Sequence, residues 1–253
     1  MNIVTRAMGR LLANYLTRPT RKYAPFSVHD TSKLARCLQP ADVLLVEGNL
    51  RLSTAIKYLT QSTWSHSAMY IGAACGTQIN GEVNCLIEAD LNQGVVAIPL
   101  STYANFNTRI CRPVGLSAQD RQRVIEFMLA HIGQQYDLKN IFDLMRYLLP
   151  TPPVPVRWRR RLIALGSGDP TRAICSTLIA QAFQLVKYPV LPIVTTHREH
   201  RENSDIYTEK EILHIRHHSL FTPRDFDISP YFEIVKPTLA NGFDYQKLTW
   251  EIK

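Results

Sequence analysis

The sequence lacks long apolar runs. No segment of the 253 residues reaches the roughly 18 consecutive apolar residues of a membrane-spanning helix. The opening stretch, MNIVTRAMGRLLANYLTRPTRK, also lacks the continuous apolar core and small-residue cleavage site of a secretory signal. We therefore expect a cytoplasmic or peripherally membrane-associated protein without a signal peptide or transmembrane helix.

Cysteine is scarce, and its pattern excludes two classes of small stabilised fold. The five cysteines are odd in number and form no CxxC pair, which fits neither a disulfide framework nor a thiolate zinc site. Cys75 and Cys85 could flank a hairpin and pair, but nothing in the pattern requires it. A mostly reducing compartment fits this usage best.

The sequence also lacks the signatures of nucleic-acid binding. It contains no zinc finger and no aromatic RNP-type strand, so no nucleic-acid partner is expected. It does have a net charge of +8, which favours anionic partners such as phospholipid headgroups. The basic residues are spread along the chain, with one dense run at 157–161.

Residues 1–22 are predicted to form an N-terminal extension. Apolar residues from Ile3 to Leu16 fall on one face of a helix, arginines fall on another, and Pro19 ends the pattern. Such a helix can pack on its own domain or lie on a membrane surface, and both interpretations stay open. Residues 23–253 are predicted to form one domain with a basic insertion at about 150–170.

The order of predicted elements indicates an α+β fold. The early strands are predicted to be antiparallel and the helices are grouped later, which argues against a doubly wound sheet. Stretches 74–84 and 195–205 are predicted to be polar loops, the second of them mobile, and 217–237 a returning strand with turns. Strands are predicted at 41–48, 65–73, 85–90, 94–100 and 108–114, and helices at 51–62, 117–133, 138–149 and around 171–183.

Three residues in these elements have the side chains that a cysteine hydrolase requires. Such an enzyme needs a thiol with a lowered pKa, an imidazole that moves protons and a polar group that holds the ring. Cys175 stands near the front of an apolar helix, His66 on a strand and Glu88 on the next strand, from which it can approach His66 across a hairpin. Each also has a plainer interpretation: a core cysteine, a structural histidine and a carboxylate on a solvent-facing strand.

The start of the cysteine helix bears on this chemistry. Asp169 and Pro170 form a good N-cap and first-position pair, which would place Cys175 in the second turn, where the helix dipole acts weakly. Alternatively, 169–173 form a separate turn and the helix starts near Ile174. A thiolate nucleophile favours the second start.

The segments HSAMYIG, LIEAD, GVVAIPLS, IGQQYD and AICSTLIAQAF occur in an order that resembles the permuted NlpC-type cysteine hydrolases, the YiiX/YebB-like group. This group is similar in plan to lecithin–retinol acyltransferase. The resemblance covers most of residues 38–235 and implies a circularly permuted papain-like fold, a small antiparallel sheet packed against helices. It also implies Cys175 as nucleophile, His66 as base and Glu88 as the residue that orients the ring.

The implied activity is cleavage of an amide or ester acyl bond through a thioester, with no metal or organic cofactor. The substrate could be a cell-wall peptide, an amino-acid amide or a lipid acyl group. The basic insertion and the amphipathic N-terminus favour a lipid or membrane-surface substrate.

Two rival interpretations come from other functional classes. A metal site is conceivable because five histidines cluster in the sequence, but the arginines interleaved with them oppose cation binding. They are His197, His200, His214, His217 and His218. A catalytically idle binding module with the same fold is the second rival, against which the intact trio of Cys175, His66 and Glu88 argues.

Overall fold

The structure, a computed structural model, describes residues 18–19, 27, 30–90, 92–135, 174–200, 207–214, 217, 220–247 and 249. The predicted helices within 1–17 and 138–149 and the basic insertion at 150–170 lie outside the described residues. Within the described ranges, no helix is both long and apolar enough to cross a membrane.

The described elements are helices and short strands. The helices are α1 (Thr31–Cys37), α2 (Arg51–Thr60), α3 (Ala118–Ala130), α4 (Ile174–Leu185), α5 (Pro223–Asp227) and α6 (Pro237–Ala240), with 3₁₀ turns at Leu100–Tyr103 and Tyr245–Lys247. The strands are β1 (Val43–Val46), β2 (His66–Tyr70), β3 (Gln78–Ile79), β4 (Glu82–Asp90), β5 (Gly94–Pro99), β6 (Thr108–Pro113), β7 (Ile193–His200), β8 (Tyr207–His214) and β9 (Phe232–Val235). The predicted α+β class is confirmed.

In the described part of the chain, seven strands form one sheet in the order β3-β4-β2-β1-β6-β9, and β5 pairs with β4. Every pairing in it is antiparallel. The central strand β1, Val-Leu-Leu-Val, is buried at every position, as expected when both faces of a strand are covered. Among the described strands β5 pairs only with β4, so Pro99 lies on an edge, as its missing N–H predicts.

Apolar side chains cover both faces of the sheet. On one face, β2 and β4 pack against α3 and α4; buried residues of this layer include Met69, Ile71, Ile87, Val124, Met128, Leu178, Ile179 and Phe183. On the other face, α1 and the first 3₁₀ turn cover the sheet; this layer includes Leu34, Leu38, Leu44, Ala68, Leu86, Leu100, Tyr103 and Ile110. The cysteine helix and the first 3₁₀ turn therefore pack on opposite faces.

The sheet opens between β2 and β4 at the end where β2 begins. These two strands pair at Met69 with Ile87 and at Tyr70 with Leu86. On its other side β2 stays paired with β1 as far as His66, which lies opposite Val46. The first residues of β2 therefore have a strand neighbour on one side only, and this opening positions the candidate site.

Two loop predictions are wrong. Stretch 195–205 was predicted to be a mobile loop, but residues 195–200 belong to β7, which pairs with β8 from Ile193–His214 to His200–Tyr207. β-Branched and aromatic residues give this polar hairpin strand propensity, and residues 201–205 lie outside the described ranges. Stretch 74–84 contains β3 and the start of β4. Asn80 and Gly81 both have positive φ there, 52° and 82°, as a two-residue hairpin turn requires.

Candidate active site

Cys175 is the second residue of α4 as the structure describes it, in the first turn. Residues 169–173 lie outside the described ranges, so the choice between the two predicted starts of this helix stays a prediction. The neighbouring Ser176 hydroxyl donates to the carbonyl of Phe221 over 2.9 Å, which ties the beginning of the helix to a distant segment. The thiol is thus held on a packed helix rather than on a loop, with 5% of the residue exposed.

His66 begins β2, and the residues before it fix that start. The Ser65 N–H donates to the carbonyl of Val46 at 3.1 Å. The buried Trp64 indole donates to Asp227 Oδ2 at 3.1 Å, and the same carboxylate accepts from Arg109 at 2.6 Å. The side chain of His66 keeps 24% of its area exposed, so the ring is both held and reachable from solvent.

Glu88 lies beside the imidazole, as the sequence predicted. Nε2 of His66 is 2.8 Å from Oε2 of Glu88. Extending the recorded register by one residue places Glu88 opposite Ala68, which makes His66 its diagonal neighbour on the same face of the sheet. The carboxylate is buried, so its charge is balanced by the imidazole rather than by water.

The imidazole also contacts the thiol. His66 and Cys175 lie close enough for each to shift the pKa of the other. Because Nε2 faces Glu88, Nδ1 is the ring nitrogen left for the sulfur. The three side chains form one chain of contacts, carboxylate to imidazole to thiol, that spans the opening in the sheet.

The electrostatics of this chain favour a charged pair. Burial lowers the pKa of His66, but Glu88 and Cys175 outweigh it, and the net pKa lies well above its ordinary value. Burial raises the pKa of the Cys175 thiol, but the neighbouring imidazolium of His66 brings it below its usual range. Burial likewise raises the pKa of Glu88, and His66 and Tyr103 lower it in net. The site therefore favours thiolate, imidazolium and carboxylate together.

The buried Cys111 and the partly buried Cys85 behave differently. Burial raises the pKa of the Cys111 thiol, and it raises that of Cys85. All five cysteines are free thiols, so the conceivable bond between Cys75 and Cys85 is not formed. Burial alone keeps a thiol protonated, and what distinguishes Cys175 is its imidazole neighbour.

Tyr103 is a fourth member of the site that the sequence did not reveal. Its hydroxyl donates to Oε2 of Glu88, the oxygen that faces His66. The phenol is buried and held edge-on against Phe106, with ring centroids 5.8 Å apart. A buried tyrosine hydroxyl needs a partner, but only the pairing of β5 with β4 brings this turn beneath the carboxylate.

Part of the histidine-rich stretch lies on the hairpin formed by β7 and β8. Strand register places His214 opposite Ile193, four residues along β7 from His197, and His214 Nε2 contacts Thr195 Oγ1 at 2.8 Å. Across the described ranges, no group of three or more His, Cys, Asp or Glu side chains is arranged to hold a metal. His218 lies outside them.

Comparison with known proteins defines the class. Residues 37–147 match the model of a family described as permuted papain-like amidase enzymes, YaeF/YiiX, C92 family. The predicted resemblance and the permuted papain-like fold are confirmed, and the protein is a thiol hydrolase of the amidase or peptidase kind. The matched span contains His66, Glu88 and Tyr103 and ends before Cys175.

A search of curated proteins finds no match. Among solved structures, the chain is similar to the crystal structure of the metalloprotein yiiX from Escherichia coli O157:H7. The sequences are 16% identical, the TM-score is 0.43, and the alignment covers 78% of this chain and 96% of that one.

Proposed function

We propose that the protein hydrolyses an amide bond with Cys175 as nucleophile, His66 as proton carrier and Glu88 as the carboxylate that orients the ring. The observation that carries the proposal is the continuous chain from Glu88 through His66, 2.8 Å away, to a thiol of lowered pKa. A lone buried cysteine lacks such partners, as Cys111 illustrates.

In the first half of the reaction, the Cys175 thiolate attacks the acyl carbon and the carbonyl electrons move to oxygen. The backbone N–H of Cys175, in the first turn of α4, is suited to hold this oxyanion because N–H groups there lack an acceptor within the helix. The C–N bond then breaks and the His66 imidazolium protonates the leaving amine. The products of this half are a free amine and an acyl thioester on Cys175.

In the second half, water attacks the thioester. Neutral His66 takes a proton from the water, the C–S bond breaks, and the sulfur leaves as thiolate, which restores the ion pair and releases a carboxylic acid. An alcohol or amine in place of water would give acyl transfer by the same steps.

Glu88 acts through the imidazole. It accepts from Nε2, fixes the ring with Nδ1 toward the sulfur and stabilises the imidazolium that persists through the first half. These are the roles of the carboxylate in a nucleophile–base–carboxylate triad.

Amide-containing molecules are the substrate class that the family match favours; cell-wall peptides and amino-acid amides both belong to it. A lipid acyl group is the second candidate. The observation that favours it is the net charge of +8, with arginines beside apolar residues in 1–18 and 150–165, and a basic surface attracts anionic lipid.

The test combines labelling with turnover. Iodoacetamide below neutral pH should alkylate Cys175 well before the other four cysteines, as peptide mass spectrometry would show. Cys175→Ala should abolish turnover of amide and ester substrates without lowering the melting temperature. Activity within about tenfold of wild type would remove Cys175 from the mechanism. Fast labelling without turnover or any trapped acyl adduct from lipid and cell-wall extracts would favour the idle binding module.

A further inference from the structure

One short segment contacts the elements that carry both members of the candidate catalytic pair. It consists of residues 221–227, of which α5 forms the larger part, and we call it the bridging segment. At its first residue, the carbonyl of Phe221 accepts from the hydroxyl of Ser176 over 2.9 Å, and both residues are buried. Because Ser176 directly follows Cys175 in the first turn of α4, this contact holds the beginning of the cysteine helix.

The last residue of the bridging segment contacts the chain just before β2. Oδ2 of Asp227 accepts from the Trp64 indole at 3.1 Å, and Oδ1 accepts from Arg109 at 2.6 Å. The Arg109 guanidinium also lies over the Trp64 ring, 4.9 Å from its centroid, which is a cation–π arrangement. These three side chains contact one another, so the indole is held in place two residues before His66.

The bridging segment is itself firmly held. The N–H of Thr222 donates to Oδ2 of Asp225 at 2.7 Å, and the Thr222 hydroxyl donates to the same oxygen at 3.1 Å, which closes the beginning of α5. Phe226 is fully buried and packs against Phe183 and Phe232. Because closely packed interiors transmit strain, the two ends of this segment are expected to keep a fixed separation.

The opening in the sheet makes these contacts important. β2 pairs with β4 at Met69 and Tyr70, three and four residues beyond His66. A helix packed on a sheet has no ladder hydrogen bonds to the strand beneath it, so directional contacts elsewhere must set the position of α4 over β2. A displacement of about 1 Å in an active site can reduce the rate roughly a hundredfold.

We propose that the bridging segment is a positioning element, which sets the separation between Cys175 on α4 and His66 on β2 through its contacts at Phe221 and Asp227. The assignment rests on the proposed function of Cys175 and His66. The two ends of the segment act through their neighbours on α4 and before β2, without contact with the reacting atoms.

The experiment measures iodoacetamide alkylation of Cys175 in the full chain as a function of pH. Trp64→Phe removes the indole donor and keeps an aromatic ring. Ser176→Ala removes the hydroxyl donor with little change of volume. Each variant should raise the midpoint by about one pH unit and slow alkylation below neutral pH about tenfold, because the thiol moves away from the imidazolium that favours its anion.

The double variant, Trp64→Phe with Ser176→Ala, distinguishes one connecting element from two local contacts. If the bridging segment connects α4 with β2, release of either end is enough, and the double variant should have nearly the midpoint of each single variant. Two independent local effects would instead add, to a rise of about two pH units. If Trp64→Phe does not fold, Asp227→Ala releases the same end of the segment and replaces it in the comparison.

Tyr188→Phe is the matched control. The Tyr188 hydroxyl donates to the carbonyl of Val114 over 2.9 Å, beyond the other end of α4. Its loss should lower the melting temperature as the test variants do and leave the midpoint unchanged.

Three results would overturn the proposal: unchanged midpoints in the folded single variants, additive shifts in the double variant, or an equal shift in the control. A wild-type midpoint near that of a free thiol, about 8.5, would remove the proposed function and the positioning role together. Turnover is measured separately, so the expected shifts without amidase activity would count against the proposed function alone.

Discussion

Tyr103 and His66 both contact the same oxygen, Oε2, of Glu88. One is a neutral donor whose buried hydroxyl stays protonated, because burial and the carboxylate raise the pKa of Tyr103 well above its ordinary value. The other is the ring that the carboxylate orients. Glu88 is thus fixed from two directions, and removal of either contact should loosen the imidazole.

Tyr103→Phe should lower kcat about tenfold and leave KM nearly unchanged. The ring and its packing against Phe106 remain, while a hydrogen bond to a buried carboxylate is lost. Steady-state kinetics on an amide substrate would measure the change. Tyr70→Phe, which removes a hydroxyl at the other end of β2 from His66, is the control, and equal effects of the two variants would refute a special role for Tyr103.

His66→Ala should reduce kcat/KM by about a hundredfold to ten-thousandfold, the usual share of general acid–base catalysis. Glu88→Gln should cost less, because the amide can still contact Nε2 although its charge is gone. Single-turnover rates would rank the variants, with the exposed Glu126→Gln as a neutral control. A larger loss for Glu88→Gln than for His66→Ala would mean that the carboxylate does more than orient the ring.

The pH profile of kcat/KM should be bell-shaped. As pH rises through the lowered pKa of Cys175, the thiolate forms and activity appears; as pH rises further through the raised pKa of His66, the imidazolium that protonates the leaving amine is lost. The two limbs belong to the coupled pair rather than to either group alone.

Glu88→Gln tests the origin of the descending limb. An anion raises the pKa of its imidazole neighbour, so its removal should move this limb to lower pH. A wild-type profile with one ascending limb near the pKa of a free thiol, about 8.5, would contradict the ion pair.

Membrane contact can be tested with vesicles of phosphatidylcholine containing increasing phosphatidylserine. Binding should rise with the anionic fraction and fall with salt, because exposed charges are screened beyond about 8–10 Å at ordinary ionic strength. Removal of residues 1–17 should weaken binding and leave Cys175 alkylation unchanged. The cut stops there because the carbonyl of Arg18 accepts from the N–H of Arg51.

The alternative for that segment predicts a different result. If its apolar stripe packs on the domain, the shortened chain should melt at a lower temperature, and the intact protein should bind no vesicles at any anionic fraction.

The sequence pointed to His66, Glu88 and the thiol helix as candidates because each residue carries a reactive group within a recognisable element, and the structure brings His66 and Glu88 together. Tyr103 has an ordinary side chain for a turn, and its contact with Glu88 comes from the strand register that brings this turn beneath the carboxylate. Strand register cannot be read from a single sequence.

The errors have a similar physical origin. Residues 195–200 of β7 were predicted to be part of a loop because a two-stranded hairpin outside the main sheet need not bury one face, so its strands lack an alternating apolar pattern. The turn at Asn80 and Gly81 did carry a readable signal, since Asn-Gly is a favoured two-residue hairpin turn.

In this chain the histidine and the carboxylate of the candidate site come before the cysteine, and this order has a consequence for biosynthesis. The ribosome releases the strands with His66 and Glu88 long before it releases Cys175, the last member of the chain of contacts. Until α4 packs against β2, the growing polypeptide contains an imidazole and a carboxylate but no activated sulfur, and the newly made thiol has the modest reactivity of any free cysteine. In the mechanism that we propose, the activated sulfur is therefore acquired late in biosynthesis, after α4 has packed against β2.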